Sequence, residues 1–182
     1  TRDLPSTKFL QELGVTAEMM EATDVAMGLP YTPPAPRTGG KIRVGLNVSG
    51  LMFSGGYTQD NQFGLKSDYP TLIRRIVKYF AEMPDVELHL VGHVQSKEQP
   101  LEDDHRVGTQ IASEFPGVIV SPWFKSPSEA KTYIADMDFF MGARMHATIA
   151  AFSSNVPVIP MAYSRKFAGV FGTLGYEHVA DC

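Results

Sequence analysis

From Ile42 onward, short apolar runs alternate with amphipathic stretches, and that rhythm leaves few folds open. Ile42–Val48, Val86–Val91, Val118–Val120, Asp138–Met141 and Val156–Met161 read as strands. Between the first two, Tyr69, Leu72, Ile73, Ile76, Val77 and Phe80 recur at helical spacing behind the capping candidates Ser67 and Asp68. Further helices are expected over Arg106–Phe115, from a Ser126-Pro127-Ser128-Glu129 capping box onward, over Ala143–Ser154 and over Lys166–Leu174, where Gly175 closes the last. Strands separated by helices pair in parallel through right-handed crossovers, because only a long connection returns the chain to the same end of the sheet. The expectation is therefore an α/β fold with a parallel sheet flanked by helices. Ligands of such open sheets gather beyond the carboxyl ends of the strands, which points to the loops after Val48, Val91, Met141 and Met161.

The first forty residues read differently. Pro5–Leu13 suits a short helix stopped by Gly14. The stretch Leu29–Gly40 is dense in Pro, which lacks a backbone donor, and Gly, which is conformationally permissive, so it reads as a linker. The expected organisation is 1–28 as the end of an N-terminal domain, 29–41 as linker, and 42–182 as a C-terminal domain incomplete at its end. With 16 basic against 20 acidic residues, the net charge of -4 argues against nucleic acid as a partner. Cys182 is the one cysteine, so neither an intrachain disulfide nor a cysteine-built metal site is expected. No signal peptide or membrane-length apolar run is visible, so the expectation is a cytoplasmic protein with no integral membrane segment.

Four segments carry candidate chemistry. In Met141-Gly142-Ala143-Arg144-Met145-His146-Ala147 a strand feeds a helix, and free amides, an Arg fork and a His together suit a phosphate or carboxylate. The plainer reading makes Arg144 a surface residue and His146 a packed one. Asn47-Val48-Ser49-Gly50, continuing to Gly55-Gly56, is either an anion-binding nest or an ordinary mobile loop, and it has neither a dinucleotide fingerprint nor a P-loop lysine. His93 follows a strand end, where it serves as an acid or base or bonds to loop backbone. Arg165 and Lys166 place two cations at a helix start, where the dipole opposes them unless an anion is present. His89 reads as structural, and His105 with Glu102, Asp103 and Asp104 reads as a solvated face. No metal site is expected.

Taken in order, Asp138–Ala147, Asn155-Val156-Pro157-Val158-Ile159-Pro160 and Tyr163-Ser164-Arg165-Lys166 resemble the signature region of the polysaccharide pyruvyl transferases. Asn47–Gly50, His93 and the opening Arg2-Asp3, with Ser6, Leu10, Gly14, Asp24 and Leu29, are similar to the same pattern. The resemblance implies two Rossmann-like halves facing a cleft, as in the glycosyltransferase-B architecture, with this chain covering the end of the first half and most of the second. It implies transfer of a pyruvyl group from phosphoenolpyruvate to a saccharide of a cell-surface or exopolysaccharide, giving a cyclic ketal. The acceptor is free or lipid-linked, which would bring the protein to the membrane periphery, and no cofactor beyond the donor substrate is implied. Arg144 would hold the donor's phosphate or carboxylate, Lys166 and Arg165 would be secondary anion contacts, and Asn47 and Ser49 polar positioning groups. His146 is the leading acid/base and His93 the second, while Arg2 would reach the cleft from the other half. Two rivals remain: a nucleotide-sugar glycosyltransferase or epimerase of similar fold, and a non-catalytic carbohydrate-binding domain with Trp123, Phe124 and Tyr163 as its platform. The absence of Asp or Glu from Gly142 to Asn155 weighs against the first, since ribose hydroxyls call for an acid there.

Overall fold

A computed structural model describes residues 1–182. Its centre is a parallel sheet of six strands: β1 (Ile42–Asn47), β2 (Val86–Leu90), β3 (Ile119–Val120), β4 (Phe139–Gly142), β5 (Val158–Ala162) and β6 (Ala180–Asp181). Their spatial order is β3-β2-β1-β4-β5-β6. The order reverses between β1 and β4, so the crossovers on either side of that seam run on opposite faces and leave a crevice at its carboxyl end.

The helices are α1 (Leu4–Glu12), α2 (Gly50–Phe53), α3 (Tyr69–Ala81), α4 (Asp104–Glu114), α5 (Pro127–Ala135), α6 (Met145–Phe152) and α7 (Arg165–Thr173). On one face, Ile73 and Val77 of α3 and Val107 and Ile111 of α4 pack on Val44, Leu46, Leu88 and Leu90. On the other, Ile134 of α5 and Ala147, Ala150 and Ala151 of α6 pack around Phe140 and Val158. The small residues of α6 let it lie close to the sheet. Phe167, Val170 and Phe171 of α7 form a third cluster with Ile149.

Local signals explain the helix starts. Asp68 accepts the Thr71 amide at 3.1 Å to open α3, and Ser126 accepts the Glu129 amide at 3.2 Å to open α5. The Glu129 carboxylate reaches back to the amide of Lys125 at 2.7 Å, one residue before the cap, so the expected box closes in a slightly wider form. Three features differ from the expected pattern. Helix α4 begins two residues earlier, with Asp104; α6 begins at Met145 rather than Ala143; and the short elements α2 and β6 are additional.

Ahead of the sheet, Asp3 caps α1 by accepting the Ser6 amide at 2.8 Å, and a 3-10 turn spans Val25–Gly28. The Pro-rich segment after it has no regular element of its own and is pinned from outside. Thr32 donates its amide to Thr132 at 3.0 Å, and Arg37 pairs with Asp138 at 2.7 Å. Lys131, 1% exposed, donates to the Met27 carbonyl at 3.1 Å and lies over the Tyr31 ring. No helix is long and apolar enough to cross a membrane.

Candidate active site

The register of the seam places Asn47, at the end of β1, opposite Gly142, at the end of β4. A Cβ on Gly142 would lie 2.9 Å from that of Asn47. Glycine is needed there for close approach of the two strand ends. The gap admits the Asn47 amide, whose oxygen accepts the Arg144 backbone N–H at 2.8 Å and whose nitrogen donates to the Val91 carbonyl at 2.9 Å. One side chain thus joins the exits of β1, β2 and β4.

Around it lies a carboxylate that sequence reasoning placed on a solvated face. Asp104 is 1% exposed. Its oxygens accept the Gly50 amide at 2.8 Å, the Val94 amide at 3.0 Å, the His93 amide at 3.3 Å and the Asn47 side-chain amide at 3.1 Å. Arg144 donates to it from Nη2 at 2.9 Å and from Nε at 3.2 Å, and gives a further Nη2 bond to the Glu102 carbonyl at 2.9 Å. The acidic cluster turns inward because unpaired loop amides and a guanidinium await it, and a buried carboxylate with that many donors is well compensated. The usable signal was position: an acid at a helix start just beyond the β2 exit.

This geometry redistributes the expected roles. Burial opposes the charge of Arg144, but the Asp104 carboxylate outweighs it and raises the guanidinium's pKa above its ordinary value. Its charge is therefore balanced within the protein, and Nη1 is the guanidinium nitrogen without a hydrogen bond to the protein. Ser49 is buried, caps α2 through the Met52 amide and gives its own amide to the Tyr69 hydroxyl at 3.2 Å, so this stretch is neither an open nest nor a mobile loop. Burial pushes the Tyr69 phenol well above its usual range.

His146 stands on the first turn of α6 with its side chain 54% exposed, and its Nε2 lies 3.7 Å from Asp24. Arg2 meets the same carboxylate at 3.2 Å, so the N-terminal segment delivers Arg2 to the His146 side of the crevice. Asp24, 6% exposed, is a second acid that sequence reasoning gave no role. Arg165 and Lys166 are exposed at the start of α7, beyond the β5 exit, and neither forms an ion pair.

His93 has its Nδ1 buried without a partner. Burial, reinforced by the charges of His146 and Arg144, depresses its pKa to about 4 against the pull of Asp104. The imidazole is thus neutral at pH 7. The unfolded chain, with a value near 6.5, takes up that proton first, so this residue's contribution favours the folded state at neutral pH and is lost as pH falls from 6.5 towards 4. Chemical denaturation at pH 7.0 and 4.5 should show a smaller loss in His93→Gln than in the parent; equal losses would refute the assignment.

No group of three or more His, Cys, Asp or Glu side chains is arranged to hold a metal ion. The sequence pattern of the polysaccharide pyruvyl transferases matches residues 1–165 of the 182.

The chain belongs to the polysaccharide pyruvyl transferase family.

Among solved structures, the chain is similar to the glycosyltransferase SnogD from Streptomyces nogalater, at 16% identity and a TM-score of 0.43, over 96% of this chain and 48% of that one. It thus spans about half the length of that solved relative. No curated protein matches the sequence. For this pyruvyl transferase family member, Asn47, His93 and Arg144 meet at Asp104 beyond the β1/β4 seam, and His146, two residues after Arg144, shares the Asp24 carboxylate with Arg2.

Proposed function

We propose that this chain forms the donor side of a transferase that moves the pyruvyl group of phosphoenolpyruvate onto two hydroxyls of a saccharide. Residues 1–28 would close the preceding half, 29–41 would connect, and 42–182 would carry the donor. The observation that carries this reading is the set of basic side chains beyond the exits of β4 and β5. Arg144 is held by Asp104, Arg2 and His146 share the Asp24 carboxylate, and Arg165 and Lys166 are exposed at the start of α7. Phosphoenolpyruvate brings a phosphate and a carboxylate, and cations on several elements suit two anionic groups held apart.

The reaction needs a proton on the donor's methylene carbon while one sugar hydroxyl oxygen bonds to the adjacent carbon and gives up its own proton. The second hydroxyl oxygen, losing its proton to a base or to the departing phosphate, then bonds to that carbon as the carbon–phosphate oxygen bond breaks, and phosphate leaves with the electron pair. His146, exposed and beside a carboxylate, is assigned the proton transfers. His93, neutral and buried, is assigned a hydrogen bond from its ring. The free Nη1 of Arg144, with Lys166 and Arg165, is assigned the anionic groups. Asn47 and Ser49 hold the loops rather than the donor.

Calorimetric titration with phosphoenolpyruvate tests this. Binding is expected, with at least tenfold loss in an Arg2→Ala, Lys166→Ala double variant. No binding by this chain or by a longer one containing the preceding half, or tighter binding of UDP-glucose, would overturn the reading.

A further inference from the structure

A second concavity lies beside the crevice, and its chemistry is the reverse. The pocket holds about 640 Å³ between the Pro-rich segment, the loop after β3 and the first half of α5. Tyr31, Phe124 and Tyr133 line it with Pro30 and Pro122, and Thr32, Ser128, Glu129 and Thr132 are its polar walls. The size falls within the range of small-molecule sites.

None of the lining residues is Lys, Arg or His, and one is a carboxylate. Lys131, adjacent in sequence, is 1% exposed, and its ammonium donates to the Met27 carbonyl and lies over the Tyr31 ring, so it is committed within the protein. An anion in the pocket would meet the Glu129 carboxylate with no lining cation to offset it. The polar groups on offer are hydroxyls and one carboxylate oxygen. Thr132 Oγ1 accepts the Thr32 amide, leaving its own proton to donate. Glu129 commits one oxygen to the Lys125 amide and leaves the other. Aromatic faces are electron-rich and attract polarised C–H edges, and hydroxyls pair with hydroxyls. Ring faces with a rim of hydroxyls and a carboxylate fit an uncharged sugar unit.

The pocket is tied to the crevice by two routes. Gln95, two residues beyond His93, donates to the Pro122 carbonyl at 3.1 Å and accepts the Phe124 amide at 2.9 Å. Pro30 follows shortly after Asp24, the carboxylate beside His146. We propose that this pocket binds a neutral sugar unit of the acceptor saccharide. Its meaning as an acceptor subsite rests on the pyruvyl transfer reading; sugar binding itself does not.

Saturation-transfer NMR tests this with the methyl glycosides of glucose, galactose and mannose, and with methyl glucuronide as the charged comparison. At least one neutral glycoside should receive saturation, and the signal should fall at least fivefold in Phe124→Leu and in Ser128→Lys. The second variant adds bulk and charge at a half-exposed helix position without disturbing the core. Phosphoenolpyruvate binding, measured by calorimetry on the same samples, should be unchanged in both. Absence of transfer from every neutral glycoside, transfer that survives both substitutions, or equal transfer from the glucuronide would each overturn the proposal. Sugar binding with these responses but no binding of phosphoenolpyruvate would leave the pocket standing and remove the pyruvyl transfer reading.

Discussion

Asp104→Ala should lower stability by about 3–5 kcal/mol, because it strips the counter-charge from a buried guanidinium. The residue is 1% exposed, and Arg144 is held against it with its side chain 12% exposed. The same substitution leaves the amides of Gly50 and Val94 without their acceptor. For a chain of this length the melting temperature should fall by roughly 6–20 °C. Removing both charges is a separate case, since a matched apolar pair removes the desolvation penalty of two ions. Asp104→Leu combined with Arg144→Met should therefore cost less than the two single losses added together, and the cycle should show a coupling of about 1–3 kcal/mol. Urea unfolding of the four proteins supplies the numbers. Additive losses would mean that Asp104 serves only the loop amides.

In a full-length enzyme, His146→Gln should reduce kcat about 10²- to 10⁴-fold while KM for phosphoenolpyruvate changes little, the usual signature of a lost acid/base group. The geometry singles out this histidine. Its side chain is 54% exposed and its Nε2 lies 3.7 Å from the Asp24 carboxylate. His93 cannot stand in as a proton donor from a cationic form near neutral pH, because burial keeps it neutral down to about 4. Phosphate release in the presence of an acceptor saccharide measures the effect. A loss smaller than tenfold would show that the proton travels by another group.

The parallel sheet and its helices were legible because each strand is a short apolar run and each helix carries an apolar stripe or a cap. Val44 and Leu46 in one strand and Ile73 and Val77 on one helix face are buried as that periodicity demands. The seam was legible as a set of strand exits, and Asn47, His93, Arg144 and His146 all lie at or just beyond such exits. Which of them face a ligand was not legible. Arg144 and a free surface arginine look alike in sequence, and the difference lies in Asp104, 40 positions away and brought in by a crossover. Asp104 sits in an acidic run that ordinarily marks solvent. Its burial follows from loop amides that local sequence cannot count. Asp24 was hidden for a similar reason, since its neighbour His146 lies far along the chain in another element.

The Asp104 carboxylate binds groups on the exits of β1, β2 and β4 at once. Three loops that would otherwise fluctuate independently are fastened at a single point during folding. Their conformational entropy is already spent before any ligand arrives, so docking on this floor is preorganised and forfeits little freedom. Asp24 stands apart from that fastening: its carboxylate, 6% exposed, pairs with Arg2 at 3.2 Å and lies 3.7 Å from the exposed ring of His146.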